Sequence, residues 1–364
     1  MNKIKAFLAR KGVVCSFRQY GVDALGAMAQ GLFCTLLVGT ILNTLGQQLH
    51  IGFLTAPVVS VGTVSYPVGG LASAMVGPGI AVAIGSALHC PPLVLFSLIP
   101  VGFAANAMGG AGGPLAVYAV TIIAAELGKL VSKETRIDIL VTPCVTVIAG
   151  IAVAQLIAAP IGTAARAVGL AIMWATELQP FFMGVLVSAL IGIALTLPIS
   201  SAAICAAFGL TGLAGGAAVA GCCAQMVGFA VMSFKENRWG GLVAQGVGTS
   251  MLQMPNILKN PRIWIPPTLA SMITGPLATC VFKLQMNGSP VSSGMGTCGF
   301  VGQIGVYTGW VSDIAAGTKA AITPMDWIGL VLICFILPAV LSTLFCCVLE
   351  KRGWIREGDM KLDL

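Results

Sequence analysis

The sequence predicts an all-α integral membrane protein of about ten transmembrane helices. Three observations carry this. Only 9% of the 364 residues are charged, against about 25% in soluble domains. Hydrophobic residues make up 57%, with a mean hydropathy of +0.96. Charges are also missing over long runs: no Asp, Glu, Lys or Arg lies between Asp23 and Glu126, and 139–165, 178–234, 284–312 and 327–349 are likewise free of them. Too little charge remains to solvate a globular surface, and apolar runs of about 18 residues or more suit a bilayer.

Spans are expected at 24–46, 68–88, 92–108, 113–131, 139–160, 177–198, 201–217, 218–234, 264–283 and 327–349. Residues 1–22, with Lys3, Lys5, Arg10, Lys11 and Arg18 spread over a polar stretch, read as a cytoplasmic basic arm rather than a cleaved leader. Residues 23–350 form one polytopic domain with halves at about 23–166 and 167–350, and 351–364 is a tail. From a cytoplasmic N-terminus, this count places Lys129, Lys133 and Arg136, then Lys235 and Arg238, then Lys351, Arg352, Arg356 and Lys361 on the cytoplasmic side, with the C-terminus. Arg166, Lys283 and Lys319 are lone exceptions. The net charge of +7 follows this topology and calls for no nucleic acid.

Segments 49–67, 240–258 and 287–310 are apolar but broken by Gly, Ser, Thr, Pro and amides. They read as re-entrant or unwound stretches beside a solute path, or as extramembrane loops; irregular backbone at membrane depth needs protein or a wet cavity around it. "VGTVSYP" (61–67) followed by "MVGPGIAVAIG" (75–85) finds an echo in "VGTSMLQMP" (247–255) and "MITGPLATCVF" (272–282). Two five-helix halves in opposite orientation would form an inverted repeat. The 46 glycines suit close helix approach.

No phosphate-binding loop, serine-hydrolase elbow or Cys/His metal spacing occurs, so no catalytic residue, metal or cofactor is assigned. The twelve cysteines mostly lie in apolar runs and read as small hydrophobes. His50 and His89 read as structural interfacial residues.

The charged stretch Glu126–Asp138 is first a turn between two spans. Glu126 and Lys129 sit within an apolar helix, three residues apart, where they can pair. Glu126 is either a plain salt partner or a solute-facing carboxylate, and Lys129 is expected to snorkel to the interface. Lys129, Lys133, Glu134, Arg136 and Asp138 form the candidate partner-facing set. Asn43, Asn106, Gln155, Ser200, Ser201, Gln225, Gln245, Gln253, Asn256 and Gln303 lie in apolar surroundings. Each can glue helices or line a polar cavity. Asn106, Glu126, Gln245, Gln253 and Asn256 are the candidate substrate contacts.

The run "ELGKLVSKET" followed by "D" and "LVTP" after a "GGAGGP" helix (109–143) resembles the enzyme-IIC-like membrane family of the phosphotransferase system, including PfoR-type proteins. "LPISSAA" (197–203), "GTSMLQMPNILKNPRIWIPP" (248–267) and "TGPLATCVFKL" (274–284) extend the likeness over most of the chain. The resemblance implies a homodimeric permease in the bacterial cytoplasmic membrane, moving a sugar that separate IIB and IIA proteins phosphorylate. Neither a IIA nor a IIB domain is appended here, and no IIB phosphocysteine loop is present. The readings carried forward are a IIC-type permease working by alternating access, a membrane regulator without transport, and a carrier of a non-sugar solute without phosphorylation. The implied partners are a small solute, membrane lipids and the separate phosphotransferase proteins.

Overall fold

The computed structural model describes residues 7–8, 10–13 and 16–362. Lys3 and Lys5 of the expected arm lie outside the described residues. The chain divides into two units, Met1–Ala165 and Arg166–Leu364.

In the first unit, α1 (Arg18–Gln48) is a long apolar helix loosened by π turns at Arg18–Asp23 and Phe33–Leu37. His50 and His89 adopt left-handed backbone conformations just past helix ends, as helix-terminating residues do. Next come α2 (Val68–Ala74) and α3 (Val76–Ala87), bent by 54° at Met75. Then α4 (Pro92–Gly109) and α5 (Gly113–Val131) follow, joined by a tight turn at Gly110–Gly112. Gly113 lies against Asn106, and Gly128 against Val94, so α4 and α5 run antiparallel. α3 and α4 meet backbone to backbone: a Cβ on Gly77 would lie 2.3 Å from the Gly102 carbonyl oxygen. Glycine is required there because no side chain fits between the helices.

The long helix α6 (Asp138–Thr176) runs through the expected span 139–160 and continues past Pro160. Its 39 residues reach about 58 Å at 1.5 Å each, well beyond a hydrocarbon core of about 30 Å. Proline does not stop a membrane helix when neighbouring groups satisfy the freed carbonyl.

The second unit is built around α9 (Gly212–Met232), which is buried along nearly its whole length. Packed on it are α7 (Pro180–Thr196), α12 (Ile265–Pro276, continued by a π turn at Leu277–Val281) and α14 (Pro324–Lys351). Short elements fill the rest: α8 (Ser201–Ala207), α10 (Phe234–Val243), α11 (Met254–Lys259) and α13 (Val301–Ala315). Val219, Cys223, Leu284, Met286, Trp310 and Ile333 form an apolar core. A Cβ on Gly216 would lie 1.8 Å from the Leu284 carbonyl oxygen, so that crossing too depends on glycine. Among the described residues every cysteine is free.

By length and composition, five described stretches qualify as membrane-spanning, α1, Pro92–Val131, α6, α9 and α14, or six with the bent pair α2–α3; Pro92–Val131 is the antiparallel pair α4–α5 rather than one straight helix. The protein is therefore an all-α membrane protein, with one small two-stranded sheet among the described residues. The expected spans 201–217 and 218–234 are not separate helices: α8 ends at Ala207, and a single helix covers Gly212–Met232. Gly209 and Gly212, both with positive φ, place the break earlier than hydropathy alone suggests.

The three broken segments differ. Residues 240–258 and 287–310 are largely buried, and in both the chain passes through short turns before a helix restarts, at Met254 and at Val301. By contrast, 49–67 holds an exposed hairpin, β1 (Val59–Val61) with β2 (Val64–Tyr66), paired in the register Val59 with Tyr66, Ser60 with Ser65 and Val61 with Val64. Residues 59–66 form a strand hairpin rather than an unwound helix. Alternating valine and serine around a glycine turn is strand chemistry, and Gly62 takes the positive φ of 61°. "VGTVSYP" thus enters a hairpin, while its echo at 247–255 forms π and 3-10 turns.

Candidate functional site

Apart from Asn106, the sequence-predicted site residues fall into two loci, one in each unit. In the first unit, the C-terminal end of α5 carries Glu126 and Lys129 one turn apart. Lys129 is only 2% exposed. Its Nζ lies 2.9 Å from Glu126 Oε1 and donates to the carbonyls of Gly12 at 3.0 Å and Leu88 at 3.2 Å. An ammonium in such surroundings persists only with this full set of acceptors. Lys129 is therefore held inside and does not snorkel. Both Glu126 oxygens are buried, and neither has a donor in hydrogen-bond geometry, although the ion pair is close.

The following turn is charged and exposed at Lys133, Glu134 and Arg136. Glu134 receives Arg10 at 3.0 Å and Lys11 at 2.5 Å, and Lys11 also donates to the Ser132 carbonyl. The bond from Lys11 holds the Glu134 carboxyl below its usual range. Asp138 accepts from the Lys133 amide at 2.7 Å and from the Thr142 hydroxyl at 2.6 Å, which ties the turn to the start of α6. Lys133 takes a left-handed φ of 62° in that turn. A cavity of about 330 Å³ opens among Arg10, Lys11, Lys129, Ser132, Lys133 and Glu134. Asn106 is part-buried on α4, with its side-chain oxygen against Gly113, apart from this cluster.

In the second unit, Gln245, Gln253 and Asn256 meet. The local chain explains why. After α9, the backbone turns at Arg238 (φ 50°) and passes through a π turn at Ala244–Gly248. It is extended at Thr249, whose hydroxyl accepts the Met251 amide, and restarts as a 3-10 turn at Ser250–Gln253 and as α11 with Pro255 in its first turn. Gln245 and Gln253 are fully buried, and Asn256 is nearly so. Gln253 Nε2 donates to Gln245 Oε1 at 2.9 Å, and Asn256 Nδ2 donates to Gln253 Oε1 at 2.9 Å. Gln245 Nε2 is anchored on Ser233 Oγ at 2.8 Å and on the Gly241 carbonyl at 3.0 Å. The result is a rail of three amides whose orientation is set at the Ser233 end.

The outer end of the rail meets the chain's own C-terminal segment. Gln253 Nε2 donates to the Met360 carbonyl at 3.0 Å, and Asn256 Nδ2 to the Lys361 carbonyl at 2.8 Å. Glu236, Asn237 and Asn260 join in, three residues that sequence reasoning missed. Glu236 Oε1 and Oε2 accept from the Gly358 and Met360 amides, each at 3.0 Å. Asn237 donates to the Met360 carbonyl and accepts from the Leu362 amide, each at 2.8 Å. Partial burial raises the Glu236 carboxyl above its usual range, against the lowering effect of the two amides. A signal existed: Gln253, Asn256 and Asn260 are spaced three and four apart, as on one helical face.

A second buried network fastens the same segment to the helices. Thr196 and Ser250 hydroxyls lie 2.8 Å apart. Trp264 Nε1 donates to Gln225 Oε1 at 3.0 Å, and Gln225 Nε2 to Thr268 Oγ1 at 3.2 Å. Both the oxygen and the nitrogen of the Gln225 amide are thus engaged by neighbours, the interhelical role. A polar cleft of about 390 Å³ lies elsewhere in the unit, lined by Lys283, Gln285, Asn287, Trp310, Asp313 and Lys319.

The geometry offers an oriented row of amide donors and acceptors inside an apolar helical unit, able to take hydroxyl or carbonyl groups. Searches of curated proteins and of solved structures found no match. The family described as "Phosphotransferase system, EIIC" matches residues 22–362, nearly the whole chain. Long apolar helices, buried broken segments and this match agree: the chain belongs to the phosphotransferase system EIIC family.

Proposed function

We propose that the protein carries a sugar across the bacterial cytoplasmic membrane, contacting it through Gln245, Gln253 and Asn256. Family membership makes the chain a membrane permease component of the phosphotransferase system. The sugar assignment is supported by one observation above others. Three amides share a single buried hydrogen-bonded row in a segment of broken helices. Sugar hydroxyls both donate and accept, and an amide row can answer both. Cytoplasmic termini, a homodimer and alternating access complete the reading. Separate IIB and IIA proteins supply the phosphoryl group. They would meet the exposed Lys133, Glu134 and Arg136, while buried Lys129 and Glu126 hold that turn in place.

The test is a binding screen on the detergent-solubilised full chain, followed by uptake into proteoliposomes with and without a phosphoryl donor. A sugar at about a hundred times its dissociation constant adds about 2.7 kcal/mol to the folded state. Gln253→Ala is expected to abolish that shift while the protein remains folded. Binding unchanged in Gln253→Ala, or stabilisation by organic anions alone, would reject the sugar site.

A further inference from the structure

The amide rail is already filled. Eight hydrogen bonds join residues 354–362 to Glu236, Asn237, Gln253, Asn256 and Asn260. Seven of the eight meet the tail's main chain; the other reaches Asp359 Oδ2 from Asn260 at 2.7 Å. A docking made through main-chain groups uses the same carbonyl acceptors and amide donors that sugar hydroxyls imitate. Only Ile355 and Met360 are fully buried in the tail, while Trp354, Arg356, Glu357 and Gly358 are exposed. Two apolar anchors are few for a permanent piece of core. Gly353 (φ 70°), just past α14, and Gly358 (φ 95°) divide the segment at backbone conformations suited to glycine.

We propose that residues 354–362 are a displaceable plug: the tail occupies the Gln253–Asn256 end of the rail and must leave before a solute can use it. This rests on the reading of the rail as the solute site. The plug lowers apparent affinity by the fraction of time the rail is open. It makes the C-terminal segment a natural point of control, because whatever captures the tail opens the site.

The experiment compares three proteins: the full chain, a chain ending at Gly353, and Asp359→Ala, which loosens the tail without touching the rail. Hydrogen exchange is read at the Gly358, Met360 and Leu362 amides. Two probes are used, a synthetic peptide of residues 354–364 and a panel of hexoses, hexitols and disaccharides. The shortened chain is expected to bind the peptide. A rail open about a tenth of the time makes any sugar bind the shortened chain about tenfold tighter, with the peptide competing. Asp359→Ala is expected to fall between, with faster exchange at the three amides, and it carries the test if the shortened chain does not fold. Equal sugar affinity in all three, with binding still lost in Gln253→Ala, overturns the plug and leaves the solute site standing. A panel that binds neither the full nor the shortened chain, while the peptide binds, overturns the solute site and the plug's gating role together. A folded shortened chain that ignores the peptide overturns the docking as a reversible event.

Discussion

Replacing Lys129 by methionine tests how the first unit is held together. The methionine keeps most of the aliphatic stem and removes the ammonium. Glu126 then loses the only cation within ion-pair reach among the described residues, and the carbonyls of Gly12 and Leu88 lose a charged donor. A snorkelling lysine at an interface would contribute about 0–1 kcal/mol. A buried pair broken from one side costs about 3–5 kcal/mol, because the remaining charge stays buried. At about 2–4 °C per kcal/mol for a unit of this size, Lys129→Met should lower the melting temperature of the solubilised protein by about 6–20 °C. The double variant separates a broken pair from a lost side chain. Glu126→Gln with Lys129→Met removes both charges and should recover most of the loss. A single variant melting within a few degrees of the parent, or a double variant as unstable as the single, would refute the buried-pair account.

Two further outcomes are expected. Gly216→Ala pushes a methyl group into the Leu284 carbonyl, a backbone atom that cannot step aside; thermal unfolding should show a loss of about 1–3 kcal/mol, and a neutral result would mean that the α9 crossing is looser than described. The arm bearing Arg10 and Lys11 should respond to acid through Glu134. Its carboxyl is held below the usual range by Lys11, so its contribution is complete above the ordinary carboxylate value and is lost as pH falls through the lowered one. Hydrogen exchange of residues 10–13 should therefore stay slow through the ordinary carboxylate range and quicken only below it. In Glu134→Gln it should be fast throughout, and identical pH profiles in the two proteins would remove Glu134 from the account.

Much was readable from local chemistry. The absence of charge from Asp23 to Glu126 required helices in lipid, because no other open backbone satisfies its polar groups there. The burial of 240–258 followed from an apolar composition broken by glycine and amides. The hairpin at 59–66 was readable too, since Val and Ser alternate about a glycine turn, but averaging hydropathy along the segment conceals a period of two. Hydropathy also divided 201–234 wrongly, because it counts apolar residues and overlooks the positive φ at Gly209 and Gly212.

What the sequence determined by itself was the solvent: a chain this apolar and this poor in charge belongs in a bilayer, and the amides within it need partners. What only the tertiary structure decided was who those partners are. Gln245 with Gln253, Gln225 with Trp264, and Lys129 with Leu88 are eight or more residues apart, and Asn256 meets Lys361 across 105 positions. An amide or ammonium carries the same hydrogen-bonding capacity in any surroundings. Which group meets it depends on helices crossing far along the chain, and no local pattern records that crossing.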